Sequence, residues 1–157
     1  NYENIEIDIS SNKNIFYIDK VILISKLIDG NFPDYTRVIP KNNNNDLMIS
    51  RENLLSAVDR VSTIANEKSP SIKFKLLENL INLSSVNSEN STATEDIKAN
   101  YEGSEIEIGF NSRYVMDILD NLEGKEIKIS FNDNSNPIII QEKIESHNVY
   151  VLMPMRV

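Results

Sequence analysis

The chain has 157 residues, enough for one domain with a core or for one domain plus part of another, and its pattern favours the second arrangement. Zero cysteines exclude disulfides, thiolate nucleophiles and Cys-ligated zinc, and a lone histidine, His147, leaves little room for imidazole chemistry. The net charge of −8 argues against an evenly basic nucleic-acid binder unless charges segregate by face, and no apolar run approaches the roughly 20 residues of a membrane helix, so a soluble protein with no membrane partner is expected.

There is no basic segment followed by an apolar leader, and the abrupt opening Asn1-Tyr-Glu-Asn4 reads as that of a piece of a longer protein. Residues 4–9, 15–18 and 21–28 alternate apolar and polar with period two and predict three consecutive antiparallel strands. The turn-rich Asp29-Gly-Asn-Phe-Pro-Asp34 ends this group, since Pro33 cannot continue a central strand. A domain junction is therefore expected near residues 31–35, dividing the chain into 1–34 and 35–157. Beyond it, Arg37–Pro40 reads as a short extended piece and 41–46 as loop. The run Asn42–Asn45 resembles the amino-acid drift of an AT-rich genome and is read as solvated and without chemistry.

Ser50 is placed to cap a helix over 50–65, because Leu54, Leu55, Val58, Val61 and Ile64 recur at helical spacing. Residues 72–76 and 80–86 alternate as a hairpin around Glu78-Asn79, and strands follow at 96–101 and 105–110. Asn111 caps a second helix from Ser112 to Asn121 or Leu122, closed by Gly124. Strands at 126–131, 137–141 and 149–155 complete the chain. A helix followed by strands thus appears twice, which predicts an α+β fold with two helices packed on antiparallel sheet. The tail Tyr150-Val-Leu-Met-Pro-Met-Arg-Val157 is apolar where termini are usually polar, and is expected to be a docked edge of a binding surface.

A search for catalysis gives little. The acids at Glu105, Glu107, Asp117 and Asp120 fall on outward phases, where a solvated face explains them. Asp133-Asn-Ser-Asn136 resembles the start of a calcium loop, but Pro137 and Ile144 stand where its glycine and bidentate glutamate belong. The four glycines are scattered, so no phosphate loop exists, and His147 reads as a surface histidine. Neither an enzyme nor a cofactor or metal is expected.

The segments Gly30-Asn-Phe-Pro-Asp-Tyr35 within Leu27–Pro40, Ser62–Lys68, Glu107-Ile-Gly-Phe-Asn111, Tyr114 and Tyr150–Arg156 occur in an order that closely resembles the bacterial DNA polymerase III beta subunit, the replication sliding clamp. The resemblance covers essentially the whole chain but only the C-terminal part of that subunit: 1–34 resembles the last strands of its middle domain and 35–157 its third domain, preceded in the family by further clamp domains. It implies a cytoplasmic bacterial processivity factor, a head-to-tail homodimeric ring around duplex DNA. The ring would hold the replicative polymerase catalytic subunit, the clamp loader and other peptide-motif proteins without bond chemistry.

By matched position, the resemblance implies a partner-peptide pocket that includes Pro33, Arg37, Val38, Asn111 and Tyr114. From the tail it takes Val151, Leu152, Met153, Pro154, Met155 and Arg156, with Ser135 and Pro137 near the edge. Unbranched, polarizable methionines suit a site that repacks around different apolar anchors, though a terminal Met pair is also ordinary core filler and Asn111 is also explained as a helix cap. Arg51, Arg60, Lys68 and Arg113 are the cations available to face DNA, in contacts blind to sequence. At the subunit interface the resemblance implies Thr63, Ile64 and an acidic edge at Glu89, Glu95 and Asp96. The chain alone is expected to be monomeric or to associate non-natively. The competing reading is a peptide-binding interaction module that never encircles DNA.

Overall fold

The computed structural model describes residues 4–66, 68, 70–87, 91–142 and 148–156, and it divides the chain into two compact units, Asn1–Asp34 and Tyr35–Val157. The first unit is a meander of β1 (Glu6–Ile9), β2 (Lys13–Ile18) and β3 (Val21–Lys26), antiparallel throughout, with Phe16 opposite Ile7 on one side and Leu23 on the other. The turn between β2 and β3 places Asp19 at a positive φ of 52°, a conformation that aspartate tolerates better than most residues. Ile7, Ile9, Ile22, Leu23 and Ile24 all stay exposed, so this unit has little core of its own.

The second unit begins with a 3-10 turn, Tyr35–Arg37, and then runs β4 (Asn45–Ser50), α1 (Arg51–Ser62), β5 (Ser71–Leu77), β6 (Leu80–Val86) and β7 (Thr92–Lys98). It continues with β8 (Ile106–Asn111), α2 (Ser112–Asp120), β9 (Glu126–Phe131), β10 (Ile138–Glu142) and β11 (Tyr150–Leu152). The order is strand, helix, three strands, twice over. Two four-stranded antiparallel sheets result, ordered β11-β10-β9-β4 and β7-β6-β5-β8. Each sheet takes three strands from one repeat and its fourth from the other, so neither repeat can form its sheet alone. Isolated bridges Met48↔Asn100 and Gly109↔Met155 link the outer strands, but the sheets do not close into one.

Alternation along β5 and β6 sends Ile72, Phe74, Leu76, Ile81 and Leu83 inward, where they meet Leu54, Val58 and Val61 of α1. Val115, Ile118 and Leu119 of α2 and Ile127, Ile129 and Phe131 of β9 belong to the same core. Phe74 and Phe110 meet edge to face at 5.1 Å and 81°. Both helices are capped as their sequences predict: Ser50 Oγ accepts from Asn53 N at 3.3 Å, and Asn111 Oδ1 from Arg113 N at 3.0 Å.

Several boundaries differ from expectation. The piece read as extended, Arg37–Pro40, is not a strand and begins at the end of a helical turn, Tyr35–Arg37, and the strand before α1 lies at Asn45–Ser50, partly inside the segment read as loop. The asparagine run has structural work: Asn43 Nδ2 donates to Ser130 O at 2.9 Å and Pro137 O at 3.1 Å, and Asn45 Nδ2 donates to Asn132 O at 3.1 Å. α1 stops at Ser62, because Ser62 and Thr63 turn their hydroxyls back to Val58 O and Asp59 O while Ala65 N closes a tighter turn on Ser62 O. β7 starts at Thr92 and ends at Lys98, four residues before and three before the strand expected there. Its threonines and acids disguise it, yet polar residues are what an edge strand carries to discourage further pairing. β11 stops at Leu152, since Pro154 cannot donate to a ladder.

Candidate functional site

The tail is held by its own backbone. β11 pairs with β10, Ile138 opposite Leu152 and Ile140 opposite Tyr150, and beyond Pro154 the Met155 N–H donates to Gly109 O at 2.9 Å. The chain therefore runs from the edge of one sheet to the edge of the other. Strand alternation separates neighbours: Leu152 is 6% exposed and joins the core, whereas Met153 is 59% exposed. Leu152, one of the pocket residues that the resemblance implies, packs inward in the second unit's core and is not among the residues lining the two hollows beside the tail.

Two hollows flank the tail. A groove of about 490 Å³ is lined by Arg37, Val38, Pro40, Pro137, Val151 and Met153, with Lys41, Asn42, Asn43, Asn132 and Asn136 around them. A second hollow of about 610 Å³ is lined by Pro154, Met155 and Arg156 together with Lys73, Glu107, Gly109, Asn134 and Ser135. Between the two lies the turn 132–136, where the Asp133 carboxylate accepts from Ser135 N at 2.8 Å, Asn136 N at 2.9 Å and Asn136 Nδ2 at 2.7 Å. The Ser135 backbone N–H foremost, with those from Asn136, holds the Asp133 carboxyl below its usual range. The segment that resembled a calcium loop is thus a self-satisfied turn.

The residues named from sequence accordingly separate. Arg37, Val38, Val151 and Met153 come together in the groove, and Pro154, Met155 and Arg156 in the second hollow. Asn111 serves as the cap of α2, and Tyr114, 58% exposed on that helix, lines neither hollow. Pro33 falls in the other unit. Sequence reasoning missed Pro40 and the amides of Asn42, Asn132 and Asn136. In the sequence the asparagine run that includes Asn42 reads as compositional drift, and Asn136 as the end of a segment resembling a calcium loop.

The cations and acids expected at other surfaces meet one another. Arg60 Nε and Nη2 donate to Glu95 Oε2 at 2.9 Å and Oε1 at 2.5 Å, a bidentate pair joining α1 to the edge strand β7. That hydrogen bonding raises the Arg60 pKa and lowers that of Glu95 from their ordinary values. Arg51 Nη1 donates to Leu119 O at 2.9 Å, which sets a positive charge against the negative end of α2 and gives this position a structural task. Lys68 and Arg113 are exposed. Thr63 is exposed and Ile64 half-buried just past α1, Asp96 Oδ1 accepts from Asn82 Nδ2 at 2.6 Å, and Glu89 lies outside the described residues, as do His147 and Ile144. Among the described residues no group of acids and histidine gathers to hold a metal, and no helix is long and apolar enough to cross a membrane.

The profile of the DNA polymerase III beta subunit, C-terminal domain, matches residues 36–156. The beta sliding clamp of Caulobacter vibrioides is 38% identical over 155 residues, covering 99% of this chain and 42% of that protein. That of Escherichia coli K12 is 34% identical over 152 residues, covering 97% and 42%. Among solved structures, the sliding clamp (DNA polymerase III subunit beta) of Bartonella birtlesii bound to griselimycin superposes with a TM-score of 0.90 at 38% identity, covering 98% of this chain and 41% of that one. The chain thus spans about two fifths of the length of these relatives. With two helices on two antiparallel sheets, and a match to the C-terminal domain that includes both hollows and the tail between them, the chain belongs to the DNA polymerase III beta subunit family, the replication sliding clamps.

Proposed function

We propose that this chain supplies the C-terminal domain, with the closing strands of the middle domain at residues 1–34, of a processivity factor. In that reading a head-to-tail dimeric ring encircles duplex DNA and holds the replicative polymerase, the clamp loader and other clients by an extended peptide. Tethering keeps a polymerase at high effective concentration near its template and needs no bond chemistry. The exposed aliphatics of β1 and β3 are then the face the rest of the middle domain covers, and Thr63, Ile64, Glu95 and Asp96 lie toward the neighbouring subunit. Arg60, Lys68 and Arg113 meet phosphates in few, sequence-blind contacts.

The observation that carries this reading is the groove at Met153. An apolar floor of Val38, Pro137, Val151 and Met153 is ringed by amides and by Arg37, a form suited to one apolar side chain and the polar backbone on either side of it. Met153 is exposed at its edge and unbranched, so it can repack around leucine, methionine or phenylalanine anchors. Titration of the chain with a fluorescent peptide carrying such anchors should saturate, and Met153→Ala and Arg37→Ala should each weaken binding about five- to thirtyfold, in line with anchor truncations of 1–2 kcal/mol. Binding that ignores both substitutions would sink the groove assignment.

A second reading, a peptide-binding module that never encircles DNA, has one observation in its favour: Arg60 is already engaged by Glu95, in a chain of net charge −8. Loading of the full-length protein onto nicked circular DNA, and its loss when the circle is linearised, separates the two.

A further inference from the structure

The chain has no cysteine and no tryptophan but four methionines, Met48, Met116, Met153 and Met155, so a two-electron oxidant finds its readiest targets in their thioethers. Three of the four are shielded. Met48 is half-buried in β4, where its backbone N–H donates to Asn100 O and its carbonyl accepts from Asn100 N, and Met116 packs against the core from α2. Met155 is half-buried where the tail crosses Gly109. Met153 alone is exposed, at 59%.

Its position is fixed on both sides. Leu152 ends β11 with its side chain in the core, so strand alternation turns Met153 the other way before Pro154 breaks the ladder. Two residues on, the Met155 N–H is bound to Gly109 O at 2.9 Å. Anchored before and after, the backbone cannot carry Met153 off, and its side chain stays on the groove with Val38, Pro40, Pro137 and Val151. Amides of Asn42, Asn132 and Asn136 line the same groove, which offers hydrogen-bond donors to a side chain that turns polar there.

We infer that Met153 is a redox-modification site: a hydroperoxide converts it to the sulfoxide, and the sulfoxide weakens the groove's hold on an apolar anchor until it is reduced. With hydrogen peroxide, the thioether sulfur attacks one peroxide oxygen and the O–O bond breaks as the S–O bond forms. Sulfur gives up two electrons, and the departing hydroxide takes the remaining peroxide proton to become water. Reversal draws on a dithiol supplied by a methionine sulfoxide reductase system: the oxygen leaves as water while two thiols become a disulfide. On the groove, the sulfoxide sets a strong dipole where an apolar anchor can neither satisfy nor avoid it, in place of a soft, adaptable contact. The inference rests on the peptide reading of the groove and adds a chemical control over it.

The test exposes the whole 157-residue chain to graded hydrogen peroxide, locates added oxygen by fragmentation mass spectrometry and titrates each sample with a fluorescent peptide carrying one apolar anchor. Met153 should oxidise at least about fivefold faster than the other three methionines, as its exposure requires, and saturating peptide should slow it. Affinity should fall about tenfold in step with the Met153 sulfoxide, the scale of losing an anchor contact, while the far-ultraviolet circular dichroism spectrum stays unchanged. Reductases for both sulfoxide epimers, with dithiothreitol, should restore it. Met153→Leu, which cannot take up oxygen, should give the same affinity before and after peroxide, whereas Met155→Leu should still lose affinity on treatment. Earlier oxidation of another methionine, or a fully formed Met153 sulfoxide that leaves affinity unchanged, overturns the inference and leaves the groove standing. Loss of the folded spectrum in step with affinity overturns it too. No saturable binding by the untreated chain removes the groove, and this control with it.

Discussion

Asn43 shows how one side chain can set the shape of the groove it helps to line. Its amide donates to Ser130 O and Pro137 O, one in β9 and one at the mouth of β10, and so binds the 41–44 wall of the groove to the opposite wall. Asn43→Ala removes both of these part-buried hydrogen bonds, each worth about 0.5–1.5 kcal/mol, and is expected to cost about 1–3 kcal/mol. The urea midpoint should fall with an unchanged slope. Asn43→Asp should be worse near neutral pH, because a carboxylate would face two carbonyl oxygens. Acidification should narrow the gap between the two variants, since a protonated acid regains one donor. If Asp and Ala variants are equally stable at every pH, the amide's donors are not what holds the wall.

At the level of elements, the clearest electrostatic device is the tie between β10 and the turn after α2. Glu142 Oε1 accepts from Glu123 N at 2.7 Å and Gly124 N at 3.0 Å, at the step that sends the chain from α2 into β9. The Glu123 N–H, then that of Gly124, lowers the Glu142 pKa below its ordinary value of 4.5. A depressed folded-state pKa means stability that is present above the unfolded value and lost as pH falls through the folded one. Wild type should therefore melt above Glu142→Gln at neutral pH, and the two should converge as pH drops below 4.5; parallel melting curves down to acid would show that the tie contributes nothing.

The elements also show what sequence could tell. Both helices were legible because period 3.6 and their caps agree, and the β5–β6 hairpin because alternation meets Asn79 at a positive φ of 57°. β4 and the start of β7 were not, because asparagine, threonine and acid make poor local strand signals and only long-range partners declare them: Leu47 opposite Ile129, Thr94 opposite Ser84. The same limit hid the site. The Met-Pro-Met-Arg tail was visible, but whether its members share one pocket depended on strand phase, which turned Leu152 inward, and on the turn at Asp133, which divides the rest between two hollows.

For the molecule as a whole, the two units are unequal in what holds them. The Tyr35–Val157 unit buries a continuous core from both helices and both sheets, with β5 and β6 at its centre. The Asn1–Asp34 unit is three strands whose large aliphatics remain exposed, Ile7 at 50%, Ile22 at 61% and Ile9 at 74%. Three strands need a covered apolar face for independent stability, and the free energy of local opening falls where few apolar contacts are buried. Amides of β1–β3 should therefore exchange by local opening orders of magnitude faster than those of β5 and β6, whose exchange should track global unfolding. Limited proteolysis should cut first at or before Asp34 and leave a folded product beginning near Tyr35 that still binds peptide, since every residue of the groove lies beyond that point. Equal protection across β1–β3 and β5–β6 would mean that the two units fold as one cooperative body. Loss of peptide binding on cleavage would place part of the groove in residues 1–34, where Pro33 is the residue the family resemblance supplies.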